Sequence, residues 1–155
     1  PNTPALIGKG ITGLYAMPKV STEQQERAIA ILQAVGQVVP VEQESLLDAI
    51  TALSGSGPAY VFLFIEALIA GGEKLGLNYA QAKALALGTL EGATSLAANS
   101  DQEPDVLRQN VTSKGGTTAA ALDVFAQHKF MSVIAQAMQA ASDRAEEMAQ
   151  ELGQA

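Results

Sequence analysis

The 155-residue sequence has no cysteine, no tryptophan and a single histidine. The lack of thiols excludes a disulfide scaffold, a thiolate zinc site and a cysteine nucleophile. His128 alone cannot build a multi-histidine metal centre, so no metal site is expected. Positive charge is also scarce, with 9 Lys and Arg against 16 Asp and Glu and a formal net charge of −7. A phosphate-backbone binder needs clustered Lys and Arg, so no nucleic-acid partner is expected. The longest apolar run, Pro58 to Gly72, is interrupted by Glu66 and falls short of the ~20 residues of a membrane span. No membrane partner is expected. The opening Pro1-Asn2-Thr3-Pro4 has neither a basic nor an apolar segment, so it does not read as a signal peptide. The chain reads as a soluble protein, and its non-methionine first residue suggests a processed or truncated piece.

What is present is apolar and helix-forming. Hydrophobic residues make up 48% and charged residues 16%, a composition that packs rather than one that stays disordered. The length suits one domain.

The texture changes near residue 44. Before it, Ala5-Leu6-Ile7 and Ile11 to Ala16 read as two short strands joined by Gly8-Lys9-Gly10. Ser21 lies three residues before Gln24, a capping-box spacing. Ala28, Ile29, Leu32 and Val35 continue at helical spacing, with Gly36 as an expected C-cap. Val38 to Val41 reads as a further strand stopped by Pro40. Such a fragment has too little surface to bury by itself and calls for a larger sheet.

From Ser45 on, Ala, Leu, Gln and Glu predominate and the pattern is helical. Pro58 suits a first helical position after Gly55-Ser56-Gly57, and that helix runs to about Leu75 before Gly76. Asn78 with Gln81 predicts a capped helix to about Ala98, its core face including Ala82, Leu85, Ala86, Thr89 and Leu90. Gly88 and Gly92 in its interior predict close approach of another helix. Further helices are expected over about 104–110, 116–127 and 130–152. The helix over 58–75 is apolar nearly all round, and such helices are buried on every side. A bundle of about five helices has difficulty enclosing one. A second chain would supply the missing walls, the alternative being a monomeric bundle.

Several motifs bear on chemistry. Gly8-Lys9-Gly10-Ile11-Thr12-Gly13 matches G-x-G-x-x-G, but a dinucleotide turn must open a helix. Here Leu14 to Pro18 is strand-like and then broken, so the match reads as a glycine-rich hairpin. Leu53 to Tyr60 is a small-residue turn into a helix; without G-x-S-x-G its serines read as caps, not nucleophiles. The charged run Asp143, Arg144, Glu146, Glu147 and Glu151 reads as a solvated helix face, and His128 as a structural or solvated histidine near a helix end. The chemically richest stretch is Asn110-Val111-Thr112-Ser113-Lys114-Gly115-Gly116-Thr117-Thr118. It gathers hydroxyls and glycines at a helix N-terminus, where free N–H groups and the helix dipole favour a small carboxylate or phosphate. Plain N-capping is the alternative, although one hydroxyl would suffice for that.

Three segments together, Pro1 to Ala5, Ser54 to Tyr60 and Val111 to Thr118, resemble the pyrroline-5-carboxylate reductase family in order and spacing across essentially the whole chain. The resemblance implies a mainly α chain. Residues 1–44 would be a short α/β remnant of an N-terminal dinucleotide-binding Rossmann domain, and residues 45–155 an all-helical dimerisation and substrate-binding domain. It further implies a cytoplasmic oxidoreductase of proline biosynthesis that reduces 1-pyrroline-5-carboxylate to L-proline with NADP or NAD as cofactor, acting as a homodimer or higher homo-oligomer. By similarity, Ser113 and the backbone of Gly116 and Thr117 hold the substrate carboxylate. Thr118 is the catalytic residue, its hydroxyl beside the ring nitrogen. Val111 lines the substrate and Asn110 contacts the cofactor. Lys114 departs from the proline often seen at its position. The fragment alone is expected to be inactive. Two rival readings are a non-catalytic dimerisation or small-anion-binding module of the same ancestry, and a different imine reductase or dehydrogenase.

Overall fold

The computed structural model describes residues 1–153. It forms two compact units, Pro1–Val61 with the residues from Ile134 onward, and Phe62–Val133.

In the first unit the chain opens with a 3-10 turn, Thr3–Ile7, where a strand was expected. Pro4 presets φ for a turn, and Gly8 closes it in the left-handed region at φ 70°. Strand β1, Gly10–Tyr15, follows. Its partner is not the Ala5–Ile7 segment but β2, Gly36–Val41, in parallel register from Gly10 opposite Gly36 to Tyr15 opposite Val41. The expected hairpin is therefore replaced by a strand–helix–strand crossover, because the segment before Gly8 is a helical turn and not a strand that could pair with β1. Gly36 does not cap a helix but begins β2. Any Cβ there would overlap the backbone of Gly10, so the first rung demands a glycine. Pro40 lies within β2 opposite Leu14 and does not stop it. A strand with an unpaired edge tolerates the missing N–H.

Helix α1, Thr22–Gln33, crosses between the strands and carries the expected capping box. Ser21 Oγ accepts from Gln24 N at 3.3 Å, and Gln24 Oε1 accepts from Ser21 N at 2.9 Å. Helix α2, Leu46–Ile50, leads into a π-turn at Thr51–Gly55, where only a small-residue turn was expected. Ile50 packs over β1: a Cβ at Gly13 would lie 2.5 Å from Ile50 Cδ1.

Helix α3, Gly57–Lys74, starts as Pro58 predicts, and the chain turns away from it at Gly76 with φ 98°. The π-turn makes the helical stretch longer than the apolar run suggested. Leu46–Lys74 is long and apolar enough to cross a membrane by length and composition, although only 11% of its most apolar window is buried. In the second unit, α4, Tyr79–Ala98, has both capping-box bonds between Asn78 and Gln81 at 3.0 Å. Asn78→Ala should lower stability by about 1 kcal/mol in urea titration, the usual effect of losing an N-cap side chain. Helices α5, Pro104–Asn110, α6, Thr117–Gln127, and α7, Phe130–Gly153, complete the chain.

Burial within a single chain is thin. Ile69 of α3 with Ala82 and Ala86 of α4 forms a small buried cluster that Ile65 abuts. Leu85, expected in that core, is 59% exposed, because the apolar face of α4 is wider than what this chain brings against it. Phe62 and Leu63, expected to be enclosed, are 58% and 66% exposed. Beyond their own helix backbone, Gly88 and Gly92 have no atom within 4 Å of where a Cβ would stand, so the close approach they were expected to permit is not made among the described residues. On α7, Glu147 and then Glu151 accept bonds from Arg144 and hold its guanidinium pKa above the ordinary value. The expected solvated face is an exposed ion-pair ladder, worth little to stability.

Candidate functional site

The site lies between α5 and α6. Pro104 starts α5, a position that needs no N–H. At its other end Thr112 Oγ donates to Arg108 O at 2.6 Å, and Thr112 N donates to Gln109 O at 2.9 Å. These two bonds turn the chain out of the helix and fix where the loop begins. Ser113 O then accepts from Gly116 N at 3.0 Å. Gly115 sits at φ 73°, the left-handed region that favours glycine. Gly116 is the N-cap of α6 in extended conformation, and no side chain caps it. A Cβ at Gly116 would overlap Ser113 Oγ and stand 3.2 Å from Ser113 O. The two glycines therefore act differently, Gly115 by allowing the reversal and Gly116 by leaving room for the serine hydroxyl.

Ala120 N bonds back to Gly116 O at 3.1 Å, so the first turn of α6 is well formed. The amides of Thr117, Thr118 and Ala119 precede the first intrahelical bond and point out of the helix end. The hydroxyls of Ser113, Thr117 and Thr118 make no hydrogen bond among the described residues. Ser113 and Thr117 are exposed, whereas Gly116 and Thr118 are half-buried. The loop brings Ser113, Gly116, Thr117 and Thr118 together at one helix end. It can offer several N–H donors and three hydroxyls to a small anion, with the positive end of the dipole behind them.

Val111, the C-cap of α5, is 66% exposed. Asn110 is exposed, and its side chain is held from one side: Nδ2 donates to Gln102 Oε1 at 2.9 Å. Gln102 N in turn donates to Ser100 Oγ at 3.0 Å. Nothing in the sequence marks Gln102 as the partner of Asn110. No periodic pattern links a loop residue to a helix end eight positions later. Lys114 is exposed on the loop. At the opposite end of α6, His128 forms the C-cap and Lys129 adopts φ 52°. There a separate apolar groove of about 830 Å³ opens between Phe64, Phe125 and Phe130, rimmed by Arg108 and Lys129. Its aromatic wall is contiguous, with Phe130 at 5.2 Å from Phe125 and 6.5 Å from Phe64.

A dinucleotide would need a cradle for its pyrophosphate, and the described residues do not build one. In the Gly8–Gly13 stretch, Gly8 ends a 3-10 turn and Gly10–Tyr15 is itself the strand. The next helix begins only at Thr22. A Cβ at Gly10 would stand 2.9 Å from Ala5 Cβ and 3.0 Å from Val35 O, so that glycine serves packing.

A two-strand parallel remnant followed by a mainly helical chain defines the class: a helical dimerisation domain attached behind a Rossmann-type fold. Residues 44–148 match the pyrroline-5-carboxylate reductase dimerisation family, and the chain belongs to that family. It is 48% identical over 154 residues to a pyrroline-5-carboxylate reductase of Pseudomonas aeruginosa, covering 99% of this chain and 56% of that relative. Among solved structures, a pyrroline-5-carboxylate reductase from Coxiella burnetii superimposes with a TM-score of 0.91 at 43% identity over 95% of this chain and 54% of that one. A pyrroline carboxylate reductase of Plasmodium falciparum with NADP bound gives 0.87 at 35% identity, covering 96% and 60%. The chain thus spans about half the length of the curated relatives it matches.

Proposed function

We propose that this chain is the dimerisation and substrate-binding part of a cytoplasmic enzyme that reduces 1-pyrroline-5-carboxylate to L-proline with NADPH or NADH. Residues 1–44 then belong to the dinucleotide-binding domain and residues 45–155 to the helical domain. The family match over 44–148 supports that division.

The observation that carries the reading is the α6 N-terminus, where glycines and three unengaged hydroxyls surround free amides. Ser113 Oγ with the Gly116 and Thr117 amides would take the substrate carboxylate. Thr118 Oγ would bond the ring nitrogen and orient the C=N bond, with Val111 alongside and Asn110 toward the cofactor. NAD(P)H, bound to the complete enzyme, supplies the hydride that reduces the imine carbon. What these residues supply is position and electrostatics. A protonated imine needs no further acid.

Two copies of the chain would cover α3. The exposed Phe62 and Leu63, and the open space at Gly88 and Gly92, support a partner helix there. A second protein chain accounts for the apolar length of Leu46–Lys74 without invoking a bilayer.

The test is direct. Full-length enzyme should form L-proline from 1-pyrroline-5-carboxylate and NAD(P)H, whereas the 155-residue chain alone should not oxidise the cofactor. Steady turnover by the short chain, or none by the full-length one, contradicts the proposal.

A further inference from the structure

The root of α3 poses a backbone problem that one side chain solves. A helical carbonyl normally receives the N–H four residues on, and in a π-turn the N–H five residues on. For Ser54 the first candidate is Pro58, which has no N–H. The second, Ala59 N, is bonded to Ser56 O at 3.0 Å, and Ser56 N closes the π-turn on Thr51 O at 2.8 Å. The Ser54 carbonyl is half-buried and has no donor from its own helix. Such a group needs a partner from elsewhere.

Asn2 provides it. Its Nδ2 donates to Ser54 O at 3.1 Å across 52 residues of sequence. The same side chain accepts from Ile11 N at 3.0 Å through Oδ1. Gly10 N bonds to Val35 O, and successive amides of a strand point to opposite sides, so Ile11 N faces away from β2. One amide group therefore ties together the opening 3-10 turn, strand β1 and the π-turn. A second contact reinforces the junction, since Ile50 packs so closely over Gly13 that no side chain fits there. π-turns of this kind recur at functional sites.

We propose that Asn2 is a positioning residue: by standing in for the N–H that Pro58 lacks, it locks the π-turn onto β1 and fixes the direction in which α3 leaves it. The functional half of this inference rests on the reductase reading, in which β1 belongs to the cofactor domain and α3 leads into the helical one. An error at the root of that helix misplaces reacting groups without weakening the binding of either.

Asn2→Asp in the full-length enzyme keeps size and acceptor but removes the donor and sets a carboxylate against the Ser54 carbonyl. Expected is a fall in kcat of about 10-fold or more, since misplacement by an ångström can cost up to about 100-fold. Both KM values should stay within about twofold, and deuterium uptake over residues 51–59 should rise. N2D/P58A restores a backbone donor at position 58, which draws the root toward α-helical spacing. That variant should recover thermal stability and low uptake while kcat remains depressed. Wild-type kcat in N2D overturns the proposal, as does recovery of kcat together with stability in the double variant, because Asn2 would then be only a structural donor. Should N2D alone fail to fold, the double variant decides by the same criterion. Should wild-type full-length protein reduce no 1-pyrroline-5-carboxylate, the reductase reading fails separately, and unchanged uptake over 51–59 in N2D still overturns the clamp.

Discussion

On the proposed reductase reading, Thr118→Ala in the full-length protein should lower kcat about 30- to 100-fold while the fold and the oligomer persist. The magnitude follows from the role. A hydrogen bond to a charged group contributes about 1.5–3 kcal/mol, and about 1.4 kcal/mol is a tenfold change in rate. The protonated ring nitrogen donates to the Thr118 hydroxyl, and that bond turns the C=N carbon toward the hydride donor, so its loss falls on the rate through misplacement. Thr118 is half-buried and its hydroxyl is not engaged in holding α6 together. Removal should therefore leave the melting temperature within a degree or two. Thr118→Ser, which keeps the hydroxyl, should retain most of the rate. Steady-state kinetics with 1-pyrroline-5-carboxylate, beside a thermal melt, checks both. A T118A enzyme with wild-type kcat would remove Thr118 from the chemistry and favour a pure anion-binding role for the loop.

The contrast with Ser113 sharpens this. Ser113 and Gly116 are bound by sterics, because a Cβ at 116 would occupy the place of Ser113 Oγ. On the same reading, damage there should appear in KM for the substrate, since a carboxylate is held equally in ground and transition states.

Much of this arrangement was legible in the sequence because its causes are local. The cap pairs Ser21–Gln24 and Asn78–Gln81 lie three residues apart, and Pro58 and Pro104 sit at helix starts where proline is tolerated. The Ser113–Thr118 loop was legible for the same reason: its glycines and hydroxyls are sequence neighbours that meet at one helix end. Features with distant causes were not. Ala5–Ile7 has strand-like composition, yet Pro4 and Gly8 wind it into a turn, and the partner of β1 lies 26 residues downstream at Gly36. The π-turn was hidden because Leu53 to Tyr60 reads only as a small-residue turn into a helix. Its order comes from Asn2, 52 positions earlier, and from Ile50 over Gly13. Gln102, which holds Asn110, had no pattern to betray it.

The all-round hydrophobicity of α3 calls for enclosure, yet a single chain leaves Phe62 and Leu63 more than half exposed. Phe62→Glu should therefore disrupt assembly. Burying a Phe or Leu side chain contributes about 1.5–3 kcal/mol. In a two-fold interface each change is made twice, so losing Phe62 alone removes about 3–6 kcal/mol per dimer. An unpaired carboxylate taken into that interface adds a desolvation penalty of several kcal/mol per ion. The sum exceeds about 5 kcal/mol, a weakening of more than about 1,000-fold. Sedimentation at micromolar concentration should show wild-type chain as a dimer of its 16.0 kDa polypeptide and F62E as monomer or aggregate. Phe62→Leu, which keeps most of the apolar area, should stay dimeric. Because the substitution lies at the exposed surface of a single chain, it places no charge inside the small cluster around Ile69. Helical content by circular dichroism should therefore survive in whatever monomer remains soluble. A dimeric F62E would show that α3 faces something other than a second copy, and the apolar length of Leu46–Lys74 would then need a different occupant.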